Sequence, residues 1–273
     1  MDATLPIGVF DSGVGGLTVL DAMRKAMPGE DYLYLGDTAR LPYGNKSPST
    51  IIRYTCQAAA RLVEQRVKML VVACNTMSAV ALPKLGELWP DVTTLGVVEP
   101  GAQAACAASP HGRIAVIATR STVSGGAYPK AILRHRPEAT VQSLACPLFV
   151  PLAEEAWFDG PLVEGIVAHY LTPLFATSDR PDCLVLACTH YPLLAKPIRR
   201  IIGDGPCIVD SAETTARAAK KLLEETATAH PQQHNRKGVM RFFTTDNPAR
   251  FARTGSLFLG ETILEQDVTV VDL

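Results

Sequence analysis

Ten short runs of apolar, often β-branched residues recur along the chain, and most are separated by stretches with helical periodicity. The runs are Ile7 to Phe10, Tyr32 to Leu35, Met69 to Ala73, Thr93 to Val98, Arg113 to Ala118, Thr140 to Leu144, Cys183 to Ala187, Cys207 to Val209, Met240 to Thr244 and Val268 to Val271. Helical patterns cover Gly16 to Met27, Thr50 to Arg66, Ser78 to Leu88, Gly125 to His135, Leu162 to Leu171 and Ala212 to Glu225. Strands alternating with helices predict an α/β fold with mostly parallel sheets, because parallel neighbours are joined by crossovers whose helices cover the sheet. In such folds ligands bind beyond the C-terminal ends of the strands.

An internal repeat divides this pattern. IGVFDSGVGG, starting at Ile7, recurs as IAVIATRSTVSGG 107 positions later at Ile114. VVACNTMSAVALPKL around Cys74 recurs as LVLACTHYPLLAKPI around Cys188, an offset of 114. The similar offsets predict two similar α/β units enclosing a cleft. The first spans residues 1–98 and is completed by a returning C-terminal segment, 210–273, while the second spans 99–209. Glu99, Pro100 and Gly101 read as the linker, and the polar stretch Thr226 to Lys237 reads as an exposed loop.

With 273 residues, 47% hydrophobic and 19% charged, the chain has the composition of a soluble globular enzyme. A formal net charge of −1 gives no global field for nucleic acid or anionic lipid, so neither is expected as a partner. A nucleic-acid role would need a local patch, and the candidate pair Arg199 and Arg200 reads more simply as a solvated helix end. No apolar stretch reaches the roughly 18–20 residues that span a bilayer. The N-terminus has no basic leader before its first strand, so a cytoplasmic location is expected. Seven cysteines, without small-scaffold spacing, are expected to be reduced. Cys56, Cys106, Cys146 and Cys207 read as small packing residues.

The two cysteine segments carry the chemistry. Each thiol ends a strand and is followed by hydrogen-bonding residues and a helix. Two thiols on opposite walls of a pocket can remove a proton from one face of a carbon and return one to the other, which points to a two-base racemase. A thiol with a free pKa of about 8.5 can act as acid or base when its surroundings manage the proton. Asp11 at the tip of the first strand, His190 two residues after Cys188, and Glu154 in PLAEEAW are the candidate helpers. Ser12, Asn75, Thr76, Thr119, Thr122 and Thr189 can hydrogen-bond a small zwitterion, helped by amides at helix starts. Pro42, Tyr43 and Gly44 form a stiff turn that could close one wall with a phenol.

Other readings of the same residues stay open. Either cysteine alone, at the end of a buried strand, could simply be packing. Asp11 could be a helix cap, His190 could satisfy a carbonyl, and Glu155 offers the same carboxylate as Glu154. Gly13, Gly15 and Gly16 suggest a dinucleotide loop with Asp37 as its ribose acid, but Thr18 occupies the third glycine position. Cys183, Cys188 and His190 are metal-ligand types, without a second C-x-x-C pair to complete a set. A thioester hydrolase could use Cys188 and His190, but it would leave Cys74 without a role.

IGVFDSGVGGLTVL, LGDTARLPYG, ACNTMSA, VIATRSTVSGGAY and ACTHYPLL, in this order, resemble the glutamate racemases of the cofactor-independent aspartate/glutamate racemase superfamily from about Ile7 to Glu224. The resemblance implies glutamate racemisation without metal or pyridoxal phosphate, D-glutamate for peptidoglycan synthesis, and a homodimer. It implies that Cys74 acts on D-glutamate with help from Asp11, and Cys188 on L-glutamate with help from Glu154 and His190. Ser12, Tyr43, Gly44, Asn75, Thr76, Thr119 and Thr189 match substrate-contact positions. Ala187 replaces a frequent glycine, and the Ser-Gly-Gly run after Thr122 departs from the usual pattern, so the first helix of the second unit is expected to start differently. The short N-terminus lacks the extension of members activated by a peptidoglycan precursor, so such activation is not expected. Within this resemblance the alternatives are a racemase of aspartate or another amino acid, and a non-catalytic amino-acid-binding regulator, for example of DNA gyrase.

Overall fold

The first strand, β1 (Ile7–Asp11, IGVFD), is buried at every residue. A strand covered on both faces belongs inside a parallel sheet, and β1 has parallel neighbours on both sides: β2 (Tyr32–Gly36) and β3 (Met69–Val72). The computed structural model describes residues 2–232 and 236–273. Its remaining strands are β4 (Thr93–Gly96), β5 (Arg113–Ala118), β6 (Thr140–Ala145), β7 (Cys183–Ala187), β8 (Cys207–Asp210), β9 (Met240–Thr244) and β10 (Val268–Val270). They form two parallel sheets, ordered β10-β9-β2-β1-β3-β4 and β6-β5-β7-β8.

The order β2-β1-β3-β4 is repeated as β6-β5-β7-β8, so each strand of the second sheet occupies the place of its counterpart in the first. The register follows: Phe10 lies beside Val72, and Ala118 beside Ala187. In each sheet the connection reverses direction about the central strand, leaving a crevice between the C-terminal tips of β1 and β3, and another between those of β5 and β7. The returning segment adds β9 and β10 to the edge of the first sheet.

Helices α1 (Leu17–Ala26), α2 (Pro48–Glu64), α3 (Asn75–Leu88), α4 (Val98–Ala108), α5 (Arg120–Gly125), α6 (Ala127–His135), α7 (Phe149–Glu154), α8 (Pro161–Phe175), α9 (Ala195–Ile202), α10 (Ser211–Glu225) and α11 (Pro248–Leu259) cover the sheets. Alternate strand residues face different cores: Val9 packs with α1, α10 and α11 residues, whereas Phe10 packs with Ile51, Leu62 and Met77. Local chemistry sets several helix starts. Ser47 caps α2 ahead of Pro48, and the Asp210 carboxylate accepts from the amides of Ala212 and Glu213 at 2.8 and 3.1 Å.

Four expectations change. Thr93 to Val98 was expected as strand, but β4 stops at Gly96 and Glu99, Pro100 and Gly101 form the first turn of α4 instead of a linker. Proline is at home there because first-turn amides have no intrahelical partner. Gly101 lets α4 approach α6, since a Cβ would stand 3.1 Å from the Tyr128 hydroxyl. The helix expected from Gly125 to His135 is α6, which starts at Ala127, and an unexpected short helix, α5, precedes it; the two are parted by Gly126 at φ 64°, a left-handed conformation suited to glycine. The stretch Thr226 to Lys237 is partly anchored: the Thr228 carbonyl accepts from Lys68 and the His230 amide donates to Glu30. Residues 233–235 of that stretch lie outside the described residues. Finally, Cys207 is exposed.

Candidate active site

Both cysteine motifs end at one cavity of about 310 Å³ between the two crevices. Cys74 is the N-cap of α3, delivered by β3, and Cys188 follows β7. Ser12, Tyr43, Gly44, Asn75, Thr76, Thr119, Glu154, Thr189 and His190 line the same space. Of the residues expected to touch substrate, Asp11 and Thr122 do not line it: Asp11 is fully buried, and Thr122 is buried against the hydroxyls of Thr76 and Thr119.

The surroundings of the two thiols differ. Cys74 Sγ lies 3.6 Å from Ser12 Oγ. Burial, reinforced by the Asp11 charge, pushes its thiol up to about 12. Burial also raises the Asp11 carboxyl above its ordinary range, against the opposing pull of His190. Asp11 Oδ2 accepts from the Gly13 amide at 3.1 Å, while Oδ1 has no partner among the described residues.

Cys188 Sγ lies 3.9 Å from His190 Nδ1, and His190 Nε2 lies 3.2 Å from Glu154 Oε1. Burial opposes a charge on His190, but contacts with Cys188 and Glu154 outweigh it and raise the imidazole to about 10. Glu154 is correspondingly lowered: burial acts against its charge, and His190 overcomes it. At neutral pH a cation therefore sits between the Cys188 sulfur and a carboxylate.

The polar lining is held from behind. Asn75 accepts from Tyr128 Oη at 2.6 Å through Oδ1 and donates to Ser211 Oγ at 3.2 Å through Nδ2, so its amide ties α3 to α6 and α10. The hydroxyls of Thr76, Thr119 and Thr122 form a triangle with sides of 3.0–3.1 Å. Tyr43 closes a wall, but its phenol hydrogen-bonds the buried Asp37 carboxylate instead of pointing into the cavity. Gly44 allows that wall to meet the second unit: a Cβ would lie 2.8 Å from Thr119 Cβ.

Asp37 is committed to Tyr43, to Arg40 Nε at 2.6 Å and to Thr245 Oγ1 at 3.0 Å, leaving no carboxylate edge for a ribose. Cys183 packs with Val185 and Ala187 on one face of β7, while Cys188 belongs to the core on the other. The suggested metal set is therefore split across the sheet. Arg199 donates to the carbonyls of Gly203 and Pro206, and Arg200 pairs with Asp159 and Glu164, in keeping with a helix end.

Sequence reasoning missed the apolar wall of Leu41, Pro147, Val150 and Pro151, the cation Arg120, and the supports Asp37, Tyr128 and Ser211. Only the proline-rich CPLFVPLAEE run hinted at any of these, by placing a stiff apolar segment just before Glu154.

A family model describing Asp/Glu/Hydantoin racemases matches residues 7–219. The glutamate racemase of Geobacter metallireducens is 48% identical over 254 residues, covering 93% of this chain and 92% of the relative. The glutamate racemase of Francisella tularensis, solved in complex with D-glutamate, superposes with a TM-score of 0.90 at 32% identity, covering 99% of this chain and 98% of that one. The Thermus thermophilus glutamate racemase in complex with β-chloro-D-alanine gives a TM-score of 0.88 at 40% identity, with 100% and 99% coverage.

Proposed function

The chain belongs to the Asp/Glu/Hydantoin racemase family, and from that membership we propose that it is a glutamate racemase, an isomerase that interconverts L- and D-glutamate. The observation that carries this reading is that Cys74 and Cys188, from equivalent strands of two equivalent sheets, line one small cavity. Its volume of about 310 Å³ is at the low end for small-molecule sites, roughly 300–1,000 Å³.

The two thiols face different partners. Cys74, pushed up to about 12, holds its proton at neutral pH and so has one to deliver. Cys188 faces the His190 imidazolium, a counter-charge for a thiolate. With L-glutamate bound, the Cys188 thiolate takes the α-proton and the electron pair of the broken C–H bond delocalises into the α-carboxylate. Cys74 then delivers its proton to the opposite face, yielding D-glutamate, a Cys74 thiolate and a Cys188 thiol. From D-glutamate the steps reverse. Asp11 assists Cys74, and His190 with Glu154 assists Cys188. Ser12, Tyr43, Gly44, Asn75, Thr76, Thr119 and Thr189 orient the substrate, and no metal or organic cofactor is required.

The D-glutamate so made feeds peptidoglycan synthesis in the cytoplasm, and the working unit is a homodimer. No helix among the described residues is long and apolar enough to cross a membrane.

The deciding experiment is turnover of purified protein with L-glutamate in heavy water. The expected product is D-glutamate carrying solvent deuterium at Cα. Absence of turnover, or inversion that retains the original hydrogen, would sink the proposal, and much faster inversion of aspartate would reassign the substrate.

A further inference from the structure

We infer that Arg120 captures the anionic substrate at the cavity mouth and contributes to selection of acidic over neutral amino acids. This rests on the racemase reading and adds a residue to it. Arg120 is exposed, follows Thr119 at the start of α5, and lines the same cavity as both cysteines.

Glutamate carries one net negative charge at neutral pH, yet the cavity presents Glu154 and Glu155 at its wall and Asp11 behind it. The neighbouring cations are largely committed. Arg40 bonds Asp37 at 2.6 Å, Arg250 lies 3.8 Å from Glu154, and His190 sits between Cys188 and Glu154. Lys46, on the facing turn, lies over the Tyr54 ring. Arg120 has no ion pair or side-chain hydrogen bond among the described residues. A guanidinium is suited to this task, since its planar fork meets a carboxylate with two donors.

Its place in the helix supplies the second argument. The first turn of α5 contains no acidic residue, and a cation there opposes the helix dipole. The local helix gives no stability reason for an arginine at this position, whereas the adjoining cavity supplies a functional one. Because the side chain reaches the mouth, its contribution falls on substrate arrival and binding, before proton transfer. Such steering raises association by about tenfold or more and weakens with salt.

The test compares wild type with Arg120→Ala and Arg120→Lys, measuring kcat and KM for both glutamate enantiomers at low and high ionic strength. In Arg120→Ala, kcat/KM should fall about tenfold at low salt through KM, with kcat within about twofold. Its salt dependence should flatten, its preference for glutamate over glutamine should shrink, and its melting temperature should hold or rise. Arg120→Lys should recover most of the capture. An active wild type whose Arg120→Ala variant keeps the same KM and salt dependence, or loses kcat alone, overturns the inference. An inactive wild type instead overturns the racemase reading, and D-glutamate protection of the thiols from alkylation then reads capture without turnover: equal protection in wild type and Arg120→Ala overturns the inference.

Discussion

His190 and Glu154, 36 residues apart in sequence and carried by different elements, face each other with Nε2 and Oε1 separated by 3.2 Å. The opposite ring nitrogen of His190 faces Cys188. A buried imidazolium held between a thiol and a carboxylate couples the pH dependence of the fold to that of the site.

An unfolded imidazole titrates near 6.5, whereas folded His190 keeps its proton to about 10. Below 6.5 both states are protonated and the stabilisation is complete. Between 6.5 and 10 only the folded state holds the proton, so stability falls as pH rises across this window. Glu154 has the opposite sign: its contribution is present above about 4.5 and is lost as the pH falls through its lowered folded value. Thermal melts from pH 6 to 10 should show the decline in wild type and a flatter profile in His190→Gln. Equal slopes would show that His190 does not carry the coupling.

Cys74→Ser and Cys188→Ser should each lower racemisation by at least roughly 10²–10⁴, because a hydroxyl replaces one acid/base partner. Glutamate binding, followed by calorimetry, should persist because Ser12, Thr76 and Thr189 remain. A single serine variant that turns over at the wild-type rate would leave that cysteine as mere packing.

Gly15 fixes the position of the Cys188 support. A Cβ there would stand 2.3 Å from Thr189 Oγ1 and 2.5 Å from His190 Nδ1. Since displacing a catalytic group by about 1 Å can cost on the order of 10² in rate, Gly15→Ala should cut kcat at least tenfold while the protein still folds. Wild-type kcat in that variant would show that the 189–190 turn moves aside without consequence.

Lys68 and Glu30 form a fully buried ion pair at 2.5 Å, and Lys68 also donates to the carbonyls of Ala3 and Thr228. Lys68→Met leaves the Glu30 charge uncompensated and should destabilise the fold by about 3–5 kcal/mol in chemical denaturation. The double variant Lys68→Met/Glu30→Gln should recover part of the loss. No recovery would mean that the carbonyl contacts, not the charge, carry the effect.

Alkylation should proceed in two phases. Exposed Cys207 reacts first without loss of activity, and the cavity cysteines react later, more slowly with glutamate bound. Activity lost in step with the first equivalent of reagent, in wild type but not in Cys207→Ser, would place Cys207 in the function.

The positions of β1, β2, β3, β5 and β7 were legible because buried parallel strands are written as continuous apolar runs between turn residues. The start of α4 was not, because Val97 and Val98 extend a β-like run and Pro100 with Gly101 mimics a linker. The cysteines and their polar neighbours were readable as local motifs at strand ends. Their orientation was not: the Asn75 amide is fixed by Tyr128 and Ser211, 53 and 136 residues away, and the Tyr43 phenol by a buried Asp37 that reads as an ordinary loop acid. Contacts of that range depend on how the two sheets meet, which no local pattern encodes.

The repeated strand order has a thermodynamic counterpart. Enantiomers have equal free energy, so their interconversion has an equilibrium constant of one, and the Haldane relation makes kcat/KM identical in the two directions. A chain that places one base from each of two matching units around a single carbon gives each enantiomer its own proton acceptor. The supports nevertheless differ, a carboxyl behind one sulfur and an imidazolium beside the other. That inequality can appear only as compensating differences in kcat and KM: the enantiomer bound more weakly must be turned over proportionately faster.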